Sequence, residues 1–206
     1  MRQNTSIMPE AALGVGVIGI LLAAGQGRRF DPSGQRNKLL QPLACGRPVA
    51  AAAARTLVAA TGSAIAVVPP GGDALARVLR DAGCRTVVCP DAAQGMGASL
   101  VCGLRAAGPA DGFLIALADM PYARPETLAA LADAVARGAG IAVPVCEGRR
   151  GNPVAFGALH LPRLLQLGGD EGARKLLKAF PVQEIEVQDP GIFRDVDRPE
   201  DLGPHP

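Results

Sequence analysis

The sequence is poor in aromatic side chains, because Phe, Tyr and Trp make up 3% of its 206 residues and there is no Trp. Apolar residues nevertheless make up 49% of the chain, which is enough for a full hydrophobic core. That core must therefore be built mainly from Ala, Val, Leu and Ile. The length predicts one domain, or one domain with an appendage.

Histidine and paired cysteine motifs are also scarce. The only histidines are His160 and His205, which disfavours a histidine-based catalytic triad or a histidine metal centre. No carboxylate neighbours His160 in sequence, so we expect a surface helix residue there. The five cysteines form no C-x-x-C, which argues against both a disulfide framework and a zinc site. We therefore expect buried, reduced thiols in a cytoplasmic protein.

Strong net charge and a long apolar run are missing as well. The net charge is +2, too near neutral to indicate a nucleic-acid partner. Residues 11–24 form the main run of apolar residues and glycine, and this run is shorter than the roughly 20 residues of a membrane helix. A signal-peptide core preceded by Arg2 is the alternative. We favour a strand, with residues 1–15 as a flexible extension of a single domain over residues 16–206.

Short apolar runs alternate with helical patterns along most of the chain. The predicted strands cover residues 17–23, 64–68, 86–89, 113–118, 141–145 and 182–187. The predicted helices cover residues 49–60, 73–82, 96–107 and 125–137. This alternation predicts an α/β fold with a mainly parallel sheet, whose site lies at the carboxyl ends of strands.

The regular alternation of predicted strands and helices changes after residue 147. An extended segment over residues 154–156 and two short helices over residues 159–167 and 172–179 are predicted. We expect this half to pack on the edge of the sheet and to cover one side of the cleft.

The loop over residues 24–37 carries a cluster of positive charge after the first strand. Its cations, with the residue that follows it, are Arg28, Arg29, Arg36 and Lys38. Only Asp31 opposes them, and the backbone at Gly25 and Gly27 is open to close approach. Backbone N–H groups and fixed cations of this kind bind polyphosphates. A basic surface turn is the alternative.

Two common phosphate loops do not fit this segment. No Gly-Lys-Ser/Thr follows, so it is not a Walker A loop. Phe30 stands where a dinucleotide fingerprint carries its third glycine. The second strand also ends in Pro69-Pro70 rather than in a ribose-binding carboxylate, which argues against an NAD(P) oxidoreductase.

The pattern L-A-A-G-Q-G-R-R-F followed by K-L-L resembles the signature loop of Rossmann-like nucleotidyltransferases. Within the MobA-like nucleotidyltransferases it is most similar to the molybdenum cofactor cytidylyltransferases of the MocA type. Further similar segments follow in family order, namely G-M-G-A-S-L, A-D-M-P, G-N-P-V, G-D-E-G-A-R and D-V-D-R-P-E-D-L. Guanylyl-transferring relatives usually carry Gly-Gly in place of Ala24-Gly25, so the resemblance favours CTP over GTP.

The resemblance implies a three-layer Rossmann-like fold and assigns roles to individual residues. The implied nucleotide-binding residues are Leu22, Ala23, Ala24, Gly25, Gly27, Arg28, Arg29, Lys38, Gly95, Gly97 and Ser99. The implied catalytic residues are Arg29, Lys38 and Asp119. The implied acceptor-binding residues are Asn152, Pro153, Asp170 and Arg174. Asp119 and Asp197 would bind Mg²⁺, with Asp195 in reserve and with Arg198 replacing the family's usual Thr.

Purely structural roles remain open for several of these residues. Asp119 followed by Pro121 can cap a turn. Asp197 and Asp170 each suit a helix N-terminus. A glycine-rich loop with a helix N-cap explains Gly95 to Ser99 equally well.

The resemblance implies transfer of CMP from CTP to the phosphate of molybdenum-bearing molybdopterin, with release of pyrophosphate. CTP and a molybdopterin-type cofactor would be the substrates, and a molybdoenzyme or its insertion chaperone is a candidate partner. No nucleic acid or membrane partner is expected. The alternatives are a different phosphate acceptor, GTP as donor, or a non-catalytic cofactor-binding or insertion protein, which would release no pyrophosphate.

Overall fold

The computed structural model describes residues 16–25, 27, 29–33, 35–169 and 173–203. The predicted extension over residues 1–15, Arg28, Asp170 and His205 lie outside these residues. The strands are β1 Val17–Leu22, β2 Ala64–Val68, β3 Arg85–Val88, β4 Gly112–Leu117, β5 Ile141–Cys146, β6 Arg149–Arg150, β7 Val154–Gly157 and β8 Gln183–Glu186. They form one sheet in the order β3-β2-β1-β4-β7-β5-β6, with β8 paired to β5.

The helices are α1 Val49–Thr61, α2 Asp73–Asp81, α3 Met96–Ala107, α4 Pro125–Ala136, α5 Leu161–Leu164 and α6 Arg174–Ala179. Buried side chains of α1, α2 and α4 pack on one face of the sheet. Those of α3, α5 and α6 pack on the other. The predicted three-layer α/β fold with a mixed, mostly parallel sheet is confirmed. Among the described residues, none of the helices combines the length and the apolar character that crossing a membrane requires.

The parallel half of the sheet brings two loops to one edge. β1 lies between β2 and β4 and is parallel to both, with Leu22 in register with Val67 and with Leu117. The Ala118 N–H donates to the Leu22 carbonyl at 3.0 Å. The loop that follows β1 and the residues that follow β4 therefore meet at the carboxyl edge of the sheet.

β7 lies inside the sheet, so the prediction that the second half packs on the edge of the sheet is wrong for this segment. It is antiparallel to both β4 and β5, and all its residues are buried. A turn with left-handed backbone at Glu147 and Gly148 reverses the chain after β5. Central strands need apolar side chains on both faces, and Val154 to Gly157 meet that requirement.

The two helices predicted in the second half are shorter than expected. The first is a 3₁₀ turn over Ala158–His160 followed by the single turn of α5. The chain leaves this helix before Gly169, whose φ is +56°. The second begins at Arg174 within the described residues.

His160 is buried, so the prediction of a surface position is wrong. His160 comes shortly after the internal strand β7 in the chain, and it is 2% exposed. The imidazole lies edge-on to the rings of Phe156 and Phe180, with centroid distances of 6.1 and 4.9 Å. Nδ1 has no hydrogen-bond partner among the described residues. This burial lowers the pKa of His160, and the nearby charge of Arg163 lowers it further.

All five cysteines are free thiols. Cys84, Cys89 and Cys146 are buried, as expected, whereas Cys45 is exposed and Cys102 is partly exposed. Burial raises the pKa of the Cys84 thiol to about 11. At neutral pH that thiol is protonated and unreactive.

Candidate active site

A cavity of about 490 Å³ lies at the carboxyl edge of β1 and β4. Its walls are the loop after β1, the 3₁₀ helix Lys38–Leu40, the start of α3 and the end of β4. The lining residues are Leu22, Ala24, Gly25, Lys38, Leu39, Ala92, Ala93, Gly95, Met96, Ser99, Leu117 and Asp119. The volume suits a small organic ligand.

Lys38 joins two carboxylates that are distant in sequence. Its Nζ donates to Asp119 Oδ2 at 2.7 Å and to Asp197 Oδ1 at 3.1 Å. The Lys38 side chain is only 9% exposed. Asn37 fixes its position, because Asn37 Oδ1 accepts from the Leu39 N–H at 2.9 Å and caps the 3₁₀ helix. Arg29 forms a further ion pair with Asp197.

These ion pairs set the charge state of the cluster. Burial lowers the pKa of Lys38, but the charge and hydrogen bond of Asp119, and then those of Asp197, outweigh it, so the pKa lies above its ordinary value. Burial raises the pKa of Asp197, but Lys38 and then Arg29 outweigh it and lower that pKa. At neutral pH Lys38 is an ammonium ion and Asp197 is a carboxylate.

Backbone contacts hold the two carboxylate-bearing segments together. The Val196 N–H donates to the Asp119 carbonyl at 2.8 Å. Asp201 Oδ2 accepts from the Asp197 N–H at 2.9 Å, and the Tyr122 hydroxyl donates to the Asp201 carbonyl at 2.9 Å. The structure thus brings Asp197 to Asp119, whereas Asp195 is exposed.

The donor set fits a hard divalent cation. Oxygen atoms of Asp119 and Asp197 converge on the point that Lys38 Nζ occupies. Within the described ranges no group of three or more His, Cys, Asp or Glu residues is arranged to hold a metal. Mg²⁺ typically takes one or two carboxylates and completes its shell with water and substrate phosphates, so two carboxylates are sufficient.

The residues expected to bind the nucleotide are only partly gathered in this cavity. Leu22, Ala24, Gly25, Lys38, Gly95 and Ser99 line it. Ala23 is buried and its N–H donates to the Val67 carbonyl at 3.0 Å. Gly27 lies beside the Lys38 stem, because a Cβ there would be 3.6 Å from Lys38 Cγ. The Gly97 N–H donates to the Gly169 carbonyl at 2.8 Å, which ties the start of α3 to the loop before α6. The Arg29 side chain is 78% exposed.

A second cavity, of about 430 Å³, adjoins the first and shares Leu22, Met96 and Leu117 with it. Its other lining residues are Leu100, Ile115, Arg150, Gly151, Asn152, Val154, Phe156, Ala173, Arg174 and Leu177. Of the residues expected to bind the acceptor, Asn152 and Arg174 lie here. Pro153 instead lines a small void beneath α1 and α4, which Asn152 also borders.

Several lining residues were not predicted from the sequence. Leu39, Ala92, Ala93, Met96 and Leu117 line the first cavity and Arg150 lines the second. The sequence could have indicated Met96 as a lining residue, since it lies between the two glycines of the G-M-G segment. The signal for Leu117 is weaker, as the end of the strand that leads to Asp119. No signal separates Arg150 from its neighbour Arg149.

A family model described as the MobA-like NTP transferase domain matches residues 19–186. The chain belongs to this family. It is therefore a MobA-like nucleotidyltransferase, as the signature loop predicted. The matched residues include the loop after β1, Lys38, Asp119 and both cavities, and Asp197 lies beyond the match.

Known relatives of this MobA-like transferase cover most of its length. The purine catabolism protein PucB of Bacillus subtilis (strain 168) is 32% identical over 198 residues, which is 90% of this chain and 93% of that protein. The crystal structure of Rv0371c from Mycobacterium tuberculosis H37Rv is 28% identical with a TM-score of 0.79, covering 92% and 96% of the two chains. Its complex with manganese is 27% identical with a TM-score of 0.74, covering 90% and 95%. A nucleotidyl transferase from Methanothermobacter thermautotroptrophicus is 25% identical with a TM-score of 0.77, covering 91% and 94%.

Proposed function

We propose that this MobA-like transferase moves CMP from CTP to the phosphate of a molybdopterin-type cofactor bearing molybdenum, with Mg²⁺, and releases pyrophosphate. The observation that carries the proposal is the Lys38–Asp119–Asp197 cluster beside two adjoining cavities. The first cavity would take the nucleotide and the second the acceptor. Their shared wall is where a phosphorus atom and an attacking oxygen would meet.

The choice of CTP is supported by the signature loop. Ala24 lines the first cavity, and its methyl group fills space that a glycine would leave open. Relatives that transfer GMP usually carry glycine there, as the sequence resemblance implies. The relative named for purine catabolism makes an enzyme of purine breakdown a candidate client for the modified cofactor.

The proposed reaction needs little covalent chemistry from the protein. An oxygen of the acceptor phosphate forms a bond to the α-phosphorus of CTP, while the bond from that phosphorus to the bridging oxygen of pyrophosphate breaks. The acceptor phosphate is already anionic, so no general base is needed. His160 is not needed as a base in this reaction, and it lies in the core against two phenylalanine rings. Alignment and charge neutralisation are the main contributions.

Lys38 and Arg29 would supply the charge neutralisation. Lys38 lines the first cavity, and its ammonium group would leave one carboxylate to contact a phosphate oxygen there. Arg29 would hold the outer phosphates from the exposed side. Asp119 and Asp197 would hold Mg²⁺, which when bound neutralises charge on phosphate oxygens. The manganese complex of Rv0371c supports a divalent ion in this fold.

Pyrophosphate release tests the proposal directly. Release would be measured with Mg²⁺ and each of CTP, GTP, ATP and UTP, with and without molybdenum-loaded molybdopterin. We expect release with CTP that requires the pterin, and a loss of at least about a hundredfold in Asp119→Asn because a carboxylate that would hold Mg²⁺ is removed. Circular dichroism would check that the variant is folded.

Other outcomes would identify the alternatives. Release with GTP in place of CTP would make the protein a guanylyltransferase. Release with CTP and a different phosphorylated acceptor would overturn the molybdopterin assignment. Tight pterin binding without release from any nucleotide would favour a cofactor carrier.

A further inference from the structure

Two adjacent arginines on β6 point to opposite faces of the sheet. β6 pairs with β5 so that Arg150 is in register with Val145, and Arg149 with Cys146. Paired residues share a face of the sheet, and neighbours along a strand alternate. Arg150 therefore lies on the face of Val143, where α3 and the second cavity lie. Arg149 lies on the other face, with its guanidinium carbon 4.6 Å from the ring centroid of Phe193.

A carboxylate on β8 orients the Arg150 guanidinium. Glu184 is in register with Val143 through the β5–β8 pairing, so it lies on the same face. Arg150 Nε donates to Glu184 Oε1 at 2.6 Å. Since the ion pair uses Nε, the two terminal nitrogens of the guanidinium remain as a fork of donors.

The second cavity is otherwise mostly apolar. Among the described residues that line it, Arg150 and Arg174 are the only charged ones. An apolar wall accepts the body of an organic molecule, whereas two arginines at one cavity indicate an anionic group on that molecule. Lys38 lines the other cavity and Arg29 is paired with Asp197, a partner of Lys38, so the positive charge of this region is divided between two places.

We propose that Arg150 is a specificity-determining residue for the acceptor, with its terminal nitrogens donating to an anionic group and with Glu184 as its positioning residue. The inference rests on the proposed function and extends it to a residue that the sequence did not single out. The acceptor phosphate must approach the negatively charged triphosphate for transfer. A cation on the acceptor side reduces that repulsion independently of the cations on the nucleotide side.

The adjacent arginine provides a matched control. Arg150→Gln and Arg149→Gln remove the same charge from the same short strand, but only the first removes it from the cavity. We expect Arg150→Gln to raise the KM for molybdenum-loaded molybdopterin by about tenfold or more, as for the loss of a hydrogen bond to a charged group. The KM for CTP should stay unchanged, and Arg149→Gln should match the wild type in both constants.

Two further variants separate charge from geometry. Arg150→Lys keeps the charge without the planar fork, and we expect partial rescue of the acceptor KM. Glu184→Gln leaves the guanidinium in place without its ionic partner, and we expect a smaller rise than in Arg150→Gln. Both side chains of the ion pair are about half exposed, so these changes should affect folding little.

The inference and the proposed function fail in different ways. An acceptor KM in Arg150→Gln within about twofold of that in Arg149→Gln would overturn the role of Arg150, because a lost charged hydrogen bond costs more than that. If the wild type transfers no nucleotide, the proposed function fails, and equilibrium binding of molybdopterin is then compared in the two variants. Equal binding would overturn the inference, and weaker binding in Arg150→Gln alone would support it.

Discussion

The position of the Lys38 ammonium group is incompatible with a metal ion that is held by the same two carboxylates. This group lies where oxygens of Asp119 and Asp197 converge, so it occupies the place that a divalent cation would take. Two cations at one point repel each other strongly in a partly buried site. Lys38 must therefore leave at least one carboxylate before a metal ion can bind both.

Replacing Lys38 should separate metal binding from turnover. We expect Lys38→Met to bind Mn²⁺ more tightly than the wild type in the absence of nucleotide, because the competing ammonium is gone. Its turnover should fall by about a hundredfold or more, since the charge proposed to bind phosphate is lost. Electron paramagnetic resonance of free Mn²⁺ measures the affinity.

Arg36→Gln is the matched control for this experiment. It removes a positive charge from the same loop, but the Arg36 guanidinium contacts Gln41 and the Phe30 ring rather than a carboxylate. Its Mn²⁺ affinity should equal that of the wild type. An unchanged affinity in Lys38→Met as well would show that Lys38 does not compete with the metal.

His160 should make the protein sensitive to mild acid. Its pKa in the folded state is lowered by burial, so the unfolded chain binds the proton first as the pH falls below about 6.5. The contribution of the neutral His160 to the free energy of unfolding is therefore fully present above that pH and declines below it. We expect the free energy of unfolding of His160→Leu to fall less than that of the wild type between neutral and mildly acidic pH. The free energy of unfolding of both proteins would be measured by urea titration at several pH values. An equal dependence on pH in the two proteins would contradict this.

At the scale of elements, much of the parallel half was predictable from the sequence. The bounds of β2 and α3 match the predicted ranges, because two prolines follow the apolar run of β2 and a glycine lies at each end of α3. The place of β7 was not predictable, since hydrophobic periodicity identifies a strand without giving its neighbours. The position of Arg150 was not predictable for the same reason, because only the register between β5 and β6 distinguishes it from Arg149. The meeting of Asp119 and Asp197 was expected only from the family resemblance.

The contact between β1 and α1 depends on a missing side chain. A Cβ at Gly19 would lie 2.6 Å from Leu57 Cγ, so this glycine lets the helix approach the sheet. We expect Gly19→Ala to reduce the free energy of unfolding by about 1–3 kcal/mol, as for an overpacked core. Chemical denaturation measures the loss.

Gly168→Ala is the control, because a Cβ there meets nothing within 4 Å. Its stability should be close to that of the wild type. Combining Gly19→Ala with Leu57→Ala should cost less than the sum of the two single changes, because the smaller helix side chain removes the clash. Simple additivity would mean that the contact does not cause the loss.

At the scale of the whole molecule, the first cavity lies among β1, α3, β4 and the 3₁₀ helix at Lys38, so a ligand there would bridge elements that are far apart in sequence. Ligand at about 100 times its Kd stabilises the folded state by about 2.7 kcal/mol. For a chain of this length that corresponds to a rise in Tm of about 5–10 °C. We expect this rise with CTP and Mg²⁺ together, and a smaller one with GTP. Equal shifts for all four nucleotides would contradict selection of cytosine.

The hydrogen bond from the Val196 N–H to the Asp119 carbonyl has a consequence for biosynthesis. Arg29 and its partner Asp197 are 168 positions apart, so nearly the whole described chain must be translated before this ion pair can form. A nascent chain on the ribosome can pair β1 to β4 while the cations of the signature loop still lack Asp197. Folding of the sheet can therefore begin during translation, whereas catalytic competence would arise only after residue 197 has emerged.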